Sequence, residues 1–94
     1  MEIAILYYRQ NENESEDEAI NNINILLKKY IQKNYNLKAV FFDYIDSRNE
    51  FYNLLNISLD DVDVIILPNE LNDDFDNKLL SELSKSREIE IKVL

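Results

Sequence analysis

The residue types able to do chemistry in this chain are few, and they gather where apolar runs end. Arg9, Gln10 and Asn11 follow Ile3-Ala4-Ile5-Leu6-Tyr7-Tyr8. Asp46-Ser47-Arg48 follows a second run that closes at Ile45, and Pro68-Asn69-Glu70-Leu71-Asn72-Asp73-Asp74 follows Asp63-Val64-Ile65-Ile66-Leu67. Two guanidinium groups among amides and carboxylates suit either of two tasks: gripping a small oxyanion, or pairing internally with the acids. Glu12, Glu14, Asp43, Asp46, Glu70, Asp73 and Asp74 are hard oxygen donors that would hold Mg²⁺ or Ca²⁺ if several converged. The expectation here is that Asp73 and the acids near Glu16 cap helices and that the others are solvated. There is no His and no Cys, which removes thiol nucleophiles, Ser-His-Asp and Cys-His arrangements and ordinary zinc sites. There is no Gly, which removes the P-loop and the dinucleotide fingerprint. No cofactor is expected.

A length of 94 residues with 46% apolar content describes one globular domain, residues 1–94. The net charge of −9 disfavours partners bound through their phosphates, so neither nucleic acid nor an anionic membrane surface is expected. The apolar runs are too short to span a bilayer. Met1-Glu2 opens without the basic region and cleavage site of a signal peptide, and the expected compartment is the cytoplasm.

The elements that must position these groups follow from hydrophobic spacing. Ile3 to Tyr8 is continuously apolar and short, as in a strand buried on both faces. Ser15 with Glu18 forms a capping box ahead of a helix whose stripe is Ala19, Ile20, Ile23, Leu26, Leu27, Tyr30 and Ile31. Asn34 or Asn36, in a left-handed conformation, is expected to close it. Leu37 to Ile45 reads as a second strand. Ser47 with Glu50 reads as another capping box, with Phe51, Leu54 and Leu55 turned inward. Val62 to Leu67 is a third strand, ended by Pro68. A helix over about Asp73 to Lys85 carries Phe75, Leu79, Leu80 and Leu83, and Ile89, Ile91 and Val93 alternate with Glu88, Glu90 and Lys92 in a terminal edge strand. This β-α-β-α-β-α-β order predicts an α/β fold of three layers, α/β/α, around an open parallel sheet of flavodoxin-like order 2-1-3-4. Its ligand site would lie at the carboxyl ends of the first and third strands.

Arranged this way, the chain resembles the N-terminal catalytic domain of the serine recombinases, the resolvase and invertase family, over nearly its whole length. Family members open with a strand of the type I-Y-x-R-x-S whose Ser attacks a DNA phosphodiester. Here Ile5-Leu6-Tyr7-Tyr8-Arg9-Gln10-Asn11 retains the arginine as Arg9 and has Asn11 at the position of the nucleophile. The family's D-R-P-x-[LF] segment is matched by Asp46-Ser47-Arg48-Asn49-Glu50-Phe51, which keeps an arginine at Arg48. Its x-D-R-L-x-R segment is matched by Pro68-Asn69-Glu70-Leu71-Asn72-Asp73, where Leu71 persists, Asn69 replaces Asp, and Glu70 and Asp73 replace both arginines.

A carboxamide cannot form the covalent link to DNA, and two anions in place of two cations repel a phosphoryl group instead of stabilising it. The resemblance therefore implies a resolvase-like domain without recombinase activity, whose remnant site is Arg9, Asn11, Arg48, Asn69, Glu70 and Asp73. Arg9 and Arg48 are expected to pair with the new acids Glu70 and Asp73. The role expected is contact with a protein partner or self-association, as a regulatory module of mobile-element origin. The alternative is a small-ligand or anion-binding module anchored by Arg9 and Arg48. Ile89, Ile91 and Val93 mark a possible interaction edge, because an edge strand has unpaired backbone groups. The alternating charges around them are also what blunts an edge.

Overall fold

A computed structural model describes residues 1–94. Four strands form one all-parallel sheet: β1 (Ile3–Arg9), β2 (Asn36–Asp43), β3 (Val64–Leu67) and β4 (Glu90–Val93), in the order β2-β1-β3-β4. The first and third strands are central, as the hydrophobic runs require. Odd positions of β1 (Ile5, Tyr7) join Ile65, Leu67, Phe51, Leu54 and Leu80 in one core, while even positions (Ala4, Leu6, Tyr8) join Val64, Ile66, Ala19, Ile23 and Ile31 in another. With period-2 alternation and helices on both faces, the positions of β1 between Ile3 and Arg9 and all of β3 are buried, so no polar alternation is visible there.

Helix α1 (Glu16–Leu26) opens on the expected box. Ser15 Oγ accepts from the Glu18 amide at 3.1 Å, and the Glu18 carboxylate accepts from the Ser15 amide at 3.1 Å. Beyond Leu26 the helix widens into a π-helical stretch, Leu27–Ile31, and finishes with one turn, Gln32–Asn34. The wider turn rotates the residues that follow it relative to a strict α-helix, and Ile31 comes out fully buried. Ile20, expected inward, is exposed. The closure also differs from expectation. Tyr35 follows Asn34 in an extended conformation, and the Asn34 side-chain amide donates to the Tyr30 carbonyl at 2.8 Å. A side chain thus satisfies a terminal carbonyl that a left-handed residue would otherwise have served. The left-handed non-glycine residues are instead Asp46 and Glu88.

Helix α2 (Asn49–Asn56) corrects the second capping prediction. Its N-cap position is Arg48, which makes no capping hydrogen bond with its side chain. The carboxylate of Asp43, at the end of β2, accepts from the backbone amides of Glu50 at 2.9 Å and Phe51 at 3.0 Å. A strand end therefore caps the next helix from outside it, and Ser47 only leans on that carboxylate at 3.4 Å. Asp43 is almost fully buried, and the two amides together with the positive end of the helix dipole compensate its charge.

Helix α3 (Asp74–Arg87) is N-capped by Asp73, which accepts from the Asp76 amide at 3.0 Å. Phe75, expected in the core, is 63% exposed, whereas Asp76 is fully buried. The inward stripe of this helix is Asp76, Leu79, Leu80 and Leu83. No helix is long and apolar enough to cross a membrane.

The cap assignments order three substitutions. Ser15→Ala should cost about 1 kcal/mol of unfolding free energy, and Ser47→Ala less than about 0.5 kcal/mol. Asp43→Ala should cost roughly 3 kcal/mol, because it leaves a buried tyrosine hydroxyl and two helix amides without an acceptor. Chemical denaturation of the three variants checks the order. A Ser47 effect as large as that of Ser15 would contradict it.

Candidate functional site

Two arginines meet one buried carboxylate where the sheet ends. Arg9 is the last residue of β1, and Arg48 leads into α2. Arg9 Nη1 lies 3.1 Å from Asp76 Oδ2, and Arg48 Nε donates to the same oxygen at 3.0 Å. Arg48 also pairs through Nη2 with Asp73. Asp76 is reached from helix α3, where it sits three residues after the cap, so the cap and the buried acid share one helix face.

A second polar chain runs into this one from below. Arg9 Nε donates to the Tyr7 hydroxyl at 3.0 Å, and the Tyr7 hydroxyl donates to Asp43 Oδ2 at 2.6 Å. The network therefore links β1, β2 and the first turns of α2 and α3. The Arg9 guanidinium also lies 5.4 Å from the ring centroids of both Tyr7 and Phe51. These aromatic faces stabilise a cation that is largely withdrawn from water. They matter because Arg9 Nη2 and Asp76 Oδ1 are buried without hydrogen-bond partners in the protein.

The pKa shifts follow from the same packing. Burial works against the Arg9 cation, but hydrogen bonds to Tyr7 and Asp76 outweigh it and hold Arg9 above its ordinary value. Burial, and then the bond to Asp43, push the Tyr7 phenol well above its usual range. Tyr7 is therefore a neutral donor and no source of phenolate.

Above the network lies a cleft of about 250 Å³, between the carboxyl ends of β1 and β3. Arg9, Asn11, Arg48, Asn69, Glu70 and Asp73, the residues singled out in the sequence, all line it, together with Glu12, Asp46 and Asn72. Asn11, Asn69 and Glu70 are exposed on its walls. The expected pairing of an arginine with Glu70 does not occur. Asp76 takes that place and Glu70 makes no ion pair. The reason is positional: Glu70 lies in the exposed loop after β3, while Asp76 is carried inward on the rigid first turn of α3.

Of the other predicted site residues, Ile89 is buried beneath α3, Ile91 is half-buried and Val93 is 43% exposed at the β4 edge. The acids do not assemble. No group of three or more lies in a geometry that would hold a metal ion. Glu14 turns instead into the β1–α1 corner, where it accepts from the Tyr8 hydroxyl and the Asn22 amide, both at 2.6 Å. The available hydroxyls are also engaged: Ser15 caps α1, and Ser47 donates to Asp43 while accepting from the Asn49 amide. Sequence reasoning missed Asp76 as a site residue, yet its signal was present. It stands four residues before Leu80 and seven before Leu83, on the apolar face.

Comparisons with protein-family models, with curated proteins and with solved structures gave no match for this chain.

Two predictions follow from these contacts. Asp76→Ala should cost roughly 3 kcal/mol, the low end for breaking a buried pair because Arg48 remains half-exposed and can be rehydrated. Glu70→Gln should stay within about 0.5 kcal/mol of the parent. Equal effects in thermal unfolding would contradict this assignment. For Glu14, burial raises the pKa, but the Tyr8, Asn11 and Asn22 hydrogen bonds together hold it below its ordinary 4.5. A depressed carboxyl contributes stability above its unfolded pKa and loses it as pH falls through the folded value. Glu14→Gln should therefore flatten the loss of stability below pH 4.5, as read from melting temperature against pH.

Proposed function

We propose that this is a non-catalytic, resolvase-like domain that acts through contact with another protein chain, with its ancestral phosphate site closed by its own acids. The observation that carries this reading is the convergence of Arg9 and Arg48 on Asp76, with Asp73 as a second partner of Arg48. Together these carboxylates do for the arginines what a phosphate would do. A phosphate entering the cleft would have to displace a fully buried carboxylate held on a helix. It would also approach Glu12, Asp46 and Glu70, none of which has a cation partner. At separations of a few ångströms such repulsion amounts to about 1 kcal/mol per charge in water and more in a cleft.

Catalytic alternatives lack a nucleophile. Asn11 has no reactive proton or lone pair of the kind needed, Ser15 is tied into the α1 cap, Ser47 is hydrogen-bonded to Asp43, and the Tyr7 phenol is held well above its usual range. The anion-binding alternative has the right residue types, but both guanidiniums already have carboxylate partners. The absence of phosphoryl chemistry shifts the role to surfaces. A mobile-element origin is part of the same reading and rests on the residue-by-residue resemblance alone.

Sulfate and phosphate titration separates the readings. The parent should show no shift of melting temperature at millimolar anion, whereas Asp76→Asn, which frees Arg9 and leaves Arg48 with Asp73 alone, should gain several degrees. A parent that binds phosphate with an affinity lost in Arg9→Ala would support the anion-binding alternative. A covalent adduct with supercoiled DNA would overturn the non-catalytic reading.

A further inference from the structure

The two edges of the sheet are not equivalent. On β2 the pairing with β1 shifts register between Ala4 and Ile5, which leaves Lys38 as an extra residue in the strand. A bulge carrying a lysine is a device that blocks strand addition. On β4 the register with β3 is regular, Val64 to Glu90 through Leu67 to Val93, and the outer side is unpaired.

The amides of Glu90 and Leu94 donate inward, to the carbonyls of Asp63 and Leu67. In a parallel strand both backbone groups of a residue point the same way and alternate along the chain. Ile91 and Val93 therefore present their amides and carbonyls to the open edge. Beside them, between α3 and β4, lies a groove of about 380 Å³ floored by Leu67, Leu80, Ile91 and Val93. Val93 and Leu94 are 43% and 44% exposed.

We infer that β4 pairs antiparallel with β4 of a second copy, about a two-fold axis through Ile91, to make a continuous eight-stranded sheet. This names the partner and surface for the contact role proposed above, and it rests on that role. The argument is the self-complementarity of the strand. With Ile91 opposite its own copy, Glu90 faces Lys92 of the other chain and Lys92 faces its Glu90, while Ile89, buried beneath α3, lies outside the contact. Ile91 then meets Ile91 on the axis, and opposite charges meet directly across the strands on both sides of it. A two-fold interface requires such a patch to complement itself.

Ile91, whose amide and carbonyl face outward, is placed to exchange both backbone hydrogen bonds with its own copy in this register, whereas the backbone of Ile89 is already bonded to Ser84. Lys92 has no carboxylate partner within its own chain, lying 5.8 Å from the Tyr30 ring centroid and donating to the Tyr35 hydroxyl at 3.4 Å. Side chains at 91 and 93 of both copies share one face, so the two grooves merge and close over Val93. The overall charge of −9 opposes association of like chains. The contact is accordingly weak and concentration-dependent, and it strengthens once salt screens the distant charges.

A charge swap tests the register. Sedimentation equilibrium on the full chain at physiological salt should show a reversible shift toward twice the 11.2 kDa chain mass as concentration rises. Glu90→Lys and Lys92→Glu should each be monomeric, because like charges then face each other, and an equimolar mixture of the two should regain the dimer. Amide exchange should slow at Ile91 in the dimer and recover on dilution. Circular dichroism verifies that each variant is folded, and recovery in the mixture excludes misfolding as the cause of a monomer. A parent that stays monomeric at all concentrations, variants that dimerise like the parent, or a mixture that stays monomeric would each overturn the pairing. None of these outcomes bears on the closed phosphate site, which the anion titration and the DNA assay test independently.

Discussion

The buried carboxylate of Asp76 is the constraint around which the upper half of the molecule is arranged. A charge removed from water must be met by charges and hydrogen bonds, or it destabilises the fold by several kilocalories per mole. Arg9 and Arg48 supply them from two different parts of the chain, and Asp73 completes the set while starting the helix that carries Asp76. The requirement is reciprocal. Arg9 is itself withdrawn against the rings of Tyr7 and Phe51, and Asp76 is its one carboxylate partner. The end of β1, the start of α2 and the start of α3 are thereby held in one arrangement.

A parallel sheet makes this arrangement possible, and also makes it necessary. Its strands all finish at one edge, and each connection must leave that edge by a loop and a helix N-terminus. Helix N-termini favour anions, and here two internal anions answer two of them: Asp43 from β2 at α2, and Asp73 at α3. The acidic composition is thus partly structural. Several acids fill places where, in a binding protein of this architecture, a ligand's negative charge would sit. Others, such as Glu12 and Glu70, remain on the cleft wall.

The edges of the sheet carry the complementary message. With polar chemistry internalised at the strand ends, unpaired backbone groups remain along the two edge strands, and on the β4 side a groove lies beside them. The pairing of β2 with β1 carries a bulge at Lys38, whereas the pairing of β4 with β3 is regular. Alternating charge on an edge strand discourages arbitrary partners.

The sequence by itself determined the strand and helix order, the central position of β1 and β3, the Ser15 cap and the gathering of arginines and acids at one end of the sheet. These follow from local spacing, where apolar periodicity and short-range capping dominate. Only the tertiary structure decided which acid meets which arginine, that Asp43 and not Ser47 caps α2, that Phe75 points out while Asp76 points in, and that α1 passes through a π-helical turn. Each of these outcomes depends on groups distant in sequence. An aspartate on an apolar helix face reads as an irregularity until two guanidiniums from other elements are brought to within about 3 Å of it. Burial then reverses the ordinary preference, since a paired carboxylate belongs inside and the phenylalanine next to it does not.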